Sequence, residues 1–357
     1  MNKYIFKFLS FFILGCAYCQ ADNPFDASLF QLYAINNIGS SSSFLDATGG
    51  NTPLMGAGGS IFTNGSSFPN NLGGEPYAMY AGGAVNAQNF VRATGYSGNN
   101  AIEAGGNIIL TNSNITGTVH GGGNLQLTGT TLNQGAGIAG NASLIGGSNV
   151  IHGTIVANQP FTPTVNLSQI SNYFIRASNF WASQPNNLTI TPGTTFNLNP
   201  GLNVATLTLA QINSGQLNIG TIPSGSFLVI NVSDVASSGT LNLTSFSSNG
   251  VNEIFNVPNV TNLTYNIAGS SANGIGILAP NSTLTIAANL GQVISGNIIG
   301  LNILGSNFSS ANTSPFAGFQ ADENIFLVPE PSVYLMLGSL LLPLALIKRN
   351  KAINYNK

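Results

Sequence analysis

A repeat of constant length is the feature that most constrains the fold of this chain. Four asparagines recur at one interval: Asn107, Asn124, Asn141 and Asn158. Three leucines keep the same interval: Leu110, Leu127 and Leu144. A constant short period is typical of a solenoid, in which each repeat forms one turn of a coil. The sequence therefore predicts stacked turns, or rungs, with leucines in the interior and asparagines stacked along one corner.

Gly-Gly pairs mark a corner of each predicted rung. The motif Ala104-Gly105-Gly106 has earlier copies at Ala57-Gly58-Gly59 and Ala81-Gly82-Gly83, and a later one at Gly122-Gly123. Glycine at such a corner indicates a left-handed backbone or a close approach between coils. Because the earlier copies are spaced more widely than the later ones, we expect loop insertions in those rungs.

A different period follows Pro160. Apolar residues recur every three or four positions: Leu167, Ile170, Phe174, Ala177 and Trp181. This spacing predicts one α-helix over about 166–184, capped by Asn166 and ended by Pro185. Its apolar stripe has to be buried, so we expect the helix to lie against the flank of the solenoid.

Strand patterns return between Leu188 and about Ile303. The run Phe227–Val232 predicts a buried strand, whereas Pro223-Ser224-Gly225 and Ala279-Pro280-Asn281 predict turns. The predicted fold class is therefore all-β. It is a β-helix or solenoid with rungs of about 17 residues and one flanking α-helix, with terminal signal and transmembrane helices in addition.

The scarcity of charge argues against catalysis. Only 5% of the residues are charged, and none lies between Ala104 and Ile175. General acid–base catalysis needs a titratable group, and the candidates for a polysaccharide-cleaving site are scattered: Glu75, Arg92 and Glu103. His120 and His152 lack a third metal ligand at an obvious spacing. We therefore predict no enzyme activity, no catalytic residues, no metal and no cofactor. A net charge of −2 gives no basis for binding nucleic acid.

An uncharged β-helix can also bind ice or a crystalline polysaccharide through a regular ladder of threonines. Thr111 and Thr128 share one position of the repeat, but Ile145 interrupts the series. Ice binding therefore stays an alternative at this point.

Residues 1–21 have the pattern of a secretory signal peptide. Lys3 and Lys7 precede an apolar stretch, and the predicted cleavage site lies between Ala21 and Asp22. The sequence Ile13-Leu14-Gly15-Cys16 resembles a lipoprotein cleavage box, which leaves lipoprotein processing as an alternative. Both cysteines of the chain lie within this peptide, so the exported domain, residues 22–321, is expected to fold without disulfides.

Three features follow one another at the C-terminus. They are Val328-Pro329-Glu330-Pro331-Ser332 within a linker (322–332), an apolar run (333–347) and a basic segment (348–357) that contains Lys348, Arg349 and Lys351. This order resembles the PEP-CTERM sorting signal of Gram-negative bacteria. The resemblance implies processing by an exosortase, a transient membrane anchor with a cytoplasmic basic end, and delivery to the cell surface or extracellular matrix.

A second resemblance concerns the domain itself. Gly276–Leu284 and Gly291–Gly296 are similar to the closing signature of the choice-of-anchor A family, and the likeness covers about residues 25–303. It implies a β-helix with a helix alongside, an adhesive role and no catalytic residues. We therefore expect a surface or biofilm-matrix adhesin whose partner is extracellular polysaccharide or a neighbouring cell. The alternative is a structural matrix protein without a specific ligand.

Overall fold

The computed structural model describes residues 30, 32–46, 55–65, 67–68, 78–92, 101–215, 217–243, 252–266, 275–294 and 296–310. The predicted signal peptide with its cleavage site, the sorting motif 328–332 and the segments 333–347 and 348–357 lie outside these residues. Within the described part, neither helix combines the length and the apolar character needed to cross a membrane.

The described chain consists of short parallel strands and two helices. The first half contains the strands β1 (Leu32–Ala34), β2 (Leu45–Asp46), β3 (Met55–Ala57), β4 (Ile61–Asn64), β5 (Ser67–Phe68), β6 (Met79–Ala81), β7 (Val85–Gln88), β8 (Val91–Arg92), β9 (Ile102–Ala104), β10 (Ile108–Thr111), β11 (Asn114–Ile115), β12 (Val119–Gly121), β13 (Leu125–Thr128), β14 (Thr131–Leu132), β15 (Gly135–Ile138), β16 (Ala142–Ile145), β17 (Val150–Ile151) and β18 (Thr154–Val156). The second half contains α1 (Leu167–Ser183), β19 (Thr195–Phe196), β20 (Leu202–Leu207), α2 (Leu209–Ser214), β21 (Asn218–Ile219), β22 (Phe227–Val232), β23 (Gly239–Asn242), β24 (Asn252–Asn256), β25 (Asn262–Asn266), β26 (Ile275–Ile294) and β27 (Ile298–Ser310).

These strands form the three faces of a β-solenoid, apart from β19 and β21, which pair with each other in a separate two-stranded sheet. The solenoid confirms the predicted fold class. Face 1 follows the order β18-β15-β12-β9-β6-β3-β1-β27-β26-β24-β22-β20. Face 2 contains β2, β4, β7, β10, β13 and β16 in the first half, and β23, β25 and the middle parts of β26 and β27 in the second. Face 3 contains β5, β8, β11, β14 and β17.

The constant interval of the repeat is confirmed in the middle rungs of the first half. Ile102, Val119 and Ala136 pair along face 1 at the same spacing as the asparagines and leucines. Earlier rungs are longer, since Met55 pairs with Met79 and Met79 with Ile102. The additional residues fall between face 3 and face 1, largely in 69–77 and 93–100, which lie outside the described residues.

The two halves of the chain meet near the middle of the solenoid. Leu32 of β1 pairs with Met55 of β3 on one side and with Ile298 of β27 on the other. Ile38 joins the halves on face 2 in the same way, between Ile61 and Ile303. The first half therefore extends away from β1 towards β18. The second half begins at the opposite end, with β20, and extends back to β1.

Helix α1 agrees closely with the predicted helix. The Asn166 side chain accepts a hydrogen bond from the backbone N–H of Gln169, a typical N-cap. The predicted apolar stripe is buried, with Ile170, Phe174, Ala177 and Trp181 at most 3% exposed.

The asparagine ladder is also present. The Asn107 side-chain carbonyl accepts the backbone N–H of Asn124 at 2.8 Å, and Asn124 does the same for Asn141 at 2.9 Å. Each rung thus satisfies a corner N–H of the next rung, which would otherwise lack a partner in the fold. Gly105 shows why glycine lies beside this ladder, because a Cβ there would approach the Gly82 carbonyl oxygen to 2.3 Å.

Asn158 does not continue this ladder, contrary to the repeat pattern. The last rung of the first half is longer than the rungs before it, so that Thr131 pairs with Val150, whereas a constant interval would place Ser148 there. Asn158 consequently lies out of register and adopts a left-handed backbone with φ of 57°.

Two predicted features of the second half were wrong. Ala279-Pro280-Asn281 forms no tight turn but lies within β26, whose pairing with β27 shifts register between Ala279 and Thr283. The segment after Leu207 is not a strand either. The Thr208 hydroxyl accepts the backbone N–H of Gln211 in a capping box that starts α2, which favours a helix there.

Candidate binding surface

Helix α1 covers the outer side of face 1 in the middle of the solenoid. The Tyr33 hydroxyl donates to the Leu167 carbonyl oxygen at 2.7 Å and lies 2.9 Å from the Ser171 hydroxyl. Burial raises the pKa of Tyr33 above its usual value, which keeps the hydroxyl protonated as a donor. The Phe174 ring packs on Tyr33 with ring centroids 5.1 Å apart.

Two buried asparagines hold the C-terminal half of α1. Asn256 accepts a hydrogen bond from the Ser178 hydroxyl at 2.6 Å and donates to the Ser178 carbonyl oxygen at 2.9 Å. Asn231 donates to the Trp181 carbonyl oxygen at 2.8 Å, and Asn256 donates to Asn231 at 2.9 Å. These contacts occupy the outer side of face 1 where α1 lies. A ligand therefore cannot bind to that part of the face.

Glu103 belongs to the same covered surface. It lies on β9, points outward next to His120 of β12, and is 3% exposed. Its carboxylate accepts two hydrogen bonds from Thr164, in the segment that leads into α1. Glu103 therefore fixes the path of the chain, which is a structural role rather than the catalytic role considered for it.

The other residues considered for chemistry are not brought together. Arg92 lies in β8 on face 3, away from the strand that carries Glu103, and Glu75 lies outside the described residues. His120 pairs with Gly137 on face 1, whereas His152 follows β17 on face 3. Across the described ranges, no three His, Cys, Asp or Glu side chains are grouped as metal ligands.

No element of the described part of the chain covers the outer side of face 2 in this way, and we call this side the ladder face. In the second half it carries two columns of polar side chains on adjacent strands. The first column contains Thr240, Thr264 and Thr285 and ends with Leu304 of β27. The second begins with Asn242 and Asn266 and continues with Ala287. All of these side chains are exposed or partly exposed.

The first half continues the ladder face with a more mixed surface. Thr111 and Thr128 are neighbours in one column, and Ile145 follows them, as the repeat predicts. The adjacent column contains Phe62, Asn86, Ile109, Gln126 and Ser143. Among the side chains described on this face, Asp46 of β2 alone carries a charge.

The geometry determines what the ladder face can contact. Neighbouring strands are about 4.8 Å apart, and alternate residues of a strand are about 6.7 Å apart. Hydroxyl and amide groups in such an array donate and accept hydrogen bonds at regular intervals, and the threonine methyl groups add apolar contact. A repeating, neutral ligand suits this array better than an ion or a small charged metabolite.

Comparison with known protein families agrees with this description. Residues 26–310 match a family model described as "Putative Ice-binding-like adhesive domain". The chain belongs to this adhesive-domain family. The match spans all of the strands and both helices, so the adhesive domain and the solenoid are the same part of the chain. Family and fold together fit a surface adhesin with an extracellular or cell-surface location, and they suggest a non-enzymatic protein.

No curated protein and no solved structure matches the chain. The features of this adhesive domain therefore have to be derived from its own residues.

Sequence reasoning missed the best-formed part of the ladder face. The three threonines of the second half, Thr240, Thr264 and Thr285, are unequally spaced, so no constant interval reveals them. A signal was nevertheless present in the repeated triplets Thr240-Leu241-Asn242 and Thr264-Tyr265-Asn266, in which the middle residue is buried and the flanking residues point outward.

Proposed function

We propose that the protein is an exported, non-catalytic adhesin that binds extracellular polysaccharide through the ladder face. The observation that carries this proposal is the pair of columns formed by Thr240, Thr264, Thr285 and by Asn242, Asn266 on an uncovered face. A neutral polysaccharide presents hydroxyl groups at a regular repeat, and hydroxyl and amide side chains can pair with them. Affinity then arises from many weak contacts along the polymer.

The terminal segments support the export part of the proposal. The pattern of residues 1–21 suits secretion, with cleavage between Ala21 and Asp22. The motif Val328–Ser332, followed by the apolar run 333–347, suits recognition by an exosortase in the membrane. Proline favours extended backbone for itself and for the residue before it, so the residue types at Pro329 and Pro331 suit a segment that a processing enzyme recognises.

Binding is tested with polysaccharide extracted from the producing cells. Thr264→Glu places a charge in the centre of the ladder face and is expected to abolish co-sedimentation with the polymer. Thr131→Glu is the matched control, since Thr131 is a partly exposed threonine on face 3, and binding should persist. If both variants bind as the unmodified protein does, the ladder face is not the adhesive surface. If the unmodified protein binds no polysaccharide, the structural-matrix alternative is favoured.

Sorting is tested separately. Glu330→Ala should leave the protein unprocessed and retained in the membrane, whereas Glu323→Ala, upstream of the motif, should be processed normally. Intact mass of the protein recovered from cells measures both ends. Normal processing of the Glu330→Ala protein would contradict the sorting proposal without affecting the binding proposal.

Ice binding is a second candidate, favoured by the threonine column itself. Water molecules can be ordered by a flat array of hydroxyl and methyl groups, and the family description names ice-binding-like domains. Measurement of ice recrystallisation separates the two functions. Inhibition of crystal growth that Thr264→Glu removes would support ice binding, whereas no inhibition by the unmodified protein would exclude it.

A further inference from the structure

Among the described residues, none covers one end of the solenoid. Strands β16, β17 and β18 belong to the last rung of the first half, and we call this rung the open rung. Each is the final strand of its sheet, on faces 2, 3 and 1 respectively. The three sheets therefore all end there with backbone groups along their outer edges.

The interior of the solenoid is exposed at the same place. Leu144 continues the column of Leu110 and Leu127, which are both fully buried, yet 53% of its own surface is exposed. Of the six large apolar residues that are exposed on the described part of the chain, four lie on this rung. Leu144 faces inward, whereas Ile145, Val150 and Val156 face outward. The exposure is thus concentrated at one end of the molecule rather than scattered.

At the opposite end, side chains occupy the edges of faces 1 and 2. The Asn187 side chain accepts the backbone N–H of Val204 at 2.7 Å and donates to the Leu202 carbonyl oxygen at 2.9 Å, which occupies the edge of β20. On face 2, Asn213 of α2 accepts the N–H of Asn242 at 2.9 Å and donates to the Thr240 carbonyl oxygen at 2.7 Å. A second copy therefore finds no free edge on these two faces at this end.

The open rung also lacks the usual protection against edge pairing. Natural sheets place charged residues or proline on exposed edge strands. No charged residue lies between Ala104 and Ile175, and no proline lies within β16, β17 or β18. A second open rung can therefore approach without charge repulsion and without losing a backbone donor.

We propose that two copies of this protein associate head to head through their open rungs and form a symmetric dimer. The second copy is the matching occupant, because it presents the same uncharged edges on all three faces and the same exposed apolar interior. A two-fold axis closes the pair and makes the strands antiparallel across the contact. A two-fold pair uses both open rungs, and the edges of β20 and β23 at the other end are occupied, so association stops at two copies.

The size of the contact sets the expected affinity. Standard interfaces use about 20–30 residues on each side, and the open rung with its three short strands offers fewer. The dimer is therefore weak, and its population depends on protein concentration.

Sedimentation velocity of the full-length protein over a range of concentrations tests the proposal, in mild detergent that shields residues 333–347. The mass of the unmodified protein should rise from one copy to two. Leu144→Arg and Ile145→Arg place a charge at the edge and should weaken association at least tenfold. Gln126→Arg is the matched control, since Gln126 lies one rung inward on the outer side of face 2, and it should dimerise normally.

Several outcomes would overturn the proposal. Leu144→Arg could disturb folding, but Ile145 points outward and is 45% exposed, so the Ile145→Arg protein retains its interior. Normal dimerisation of Ile145→Arg would place the contact elsewhere. Growth beyond two copies would replace the closed pair with a filament. Slow hydrogen exchange of residues 142–156 in the monomer would show that the chain covers its own open rung.

Discussion

Thr164 donates two hydrogen bonds to Glu103, from its backbone N–H at 2.9 Å and from its hydroxyl at 2.7 Å. The two residues are 61 positions apart in the sequence. This contact fixes the segment that leads from the open rung back to α1, so a single carboxylate determines where the chain begins to cover face 1.

Replacement of Glu103 with Ala is expected to lower the free energy of unfolding by about 2 kcal/mol, because the substitution removes the acceptor of both Thr164 hydrogen bonds. Glu103→Gln keeps one acceptor and should cost less. Urea denaturation measures both variants. A Glu103→Ala protein as stable as the unmodified protein would contradict the structural role of this residue.

A second prediction concerns Glu253, which lies between Leu228 and Ile275 in an inward-facing column and is fully buried. Neither carboxyl oxygen has a hydrogen-bond partner among the described residues. Burial raises its pKa well above the usual value of 4.5. Between these two pKa values the folded state binds more protons than the unfolded state, so stability falls as pH rises through this range.

Glu253→Gln should remove this dependence and raise the melting temperature near neutral pH, because the amide stays uncharged. Melting temperatures between about pH 4 and about pH 8 provide the measurement. Asp234→Asn is the control for a change of carboxyl to amide, since Asp234 accepts a hydrogen bond from the backbone N–H of Leu209 at 2.6 Å. This variant should keep the pH dependence that Glu253 causes. Parallel pH profiles for the unmodified protein and Glu253→Gln would refute the prediction.

Leu127 and Leu144 allow a comparison within one column. Leu127→Ala should cost about 3 kcal/mol of stability because the side chain is fully buried and leaves a cavity between two rungs. Leu144→Ala should cost less than about 1 kcal/mol in the monomer, since half of its surface is already exposed. Chemical denaturation at low protein concentration gives both values. Equal losses would mean that the open rung is covered.

The single tryptophan reports on the docking of α1. Asn256→Ala removes the two hydrogen bonds that link face 1 to Ser178 of α1, and a third that joins Asn256 to Asn231 within face 1. We expect a loss of about 2 kcal/mol and a red shift of the emission of Trp181, which is 2% exposed. Ser183→Ala at the exposed end of α1 should leave the emission unchanged. A buried Trp181 spectrum in Asn256→Ala would show that these contacts do not hold the helix.

The sequence revealed the rungs where each turn has the same length. In a parallel stack, inward side chains recur once per turn, so Leu110 and Leu127 predict the coil directly. Insertions conceal this regularity, and one slightly longer rung was enough to displace Asn158 from the asparagine ladder. The helix was predicted because its apolar stripe is a local signal.

The order of the rungs had no comparable signal. Leu32 and Ile298 lie side by side although they belong to the first and the last strand of the described chain, and parallel pairing between distant segments leaves no mark on the residues nearby. For the same reason the sequence could not show that Glu103 lies beneath the segment leading into α1. It also could not show which face α1 leaves uncovered.

The adjacency of β1 and β27 has a mechanical consequence. Six strands of face 1 lie beyond β1 and four lie beyond β27, so both tips of the rod are built from the middle of the sequence. A tether attached after Ser310 would therefore be joined to the solenoid between its two ends, and not at either end. A pulling force on such a tether would act on the hydrogen bonds that pair β27 with β1 and β26. The strands at the two ends of the solenoid would not bear this force.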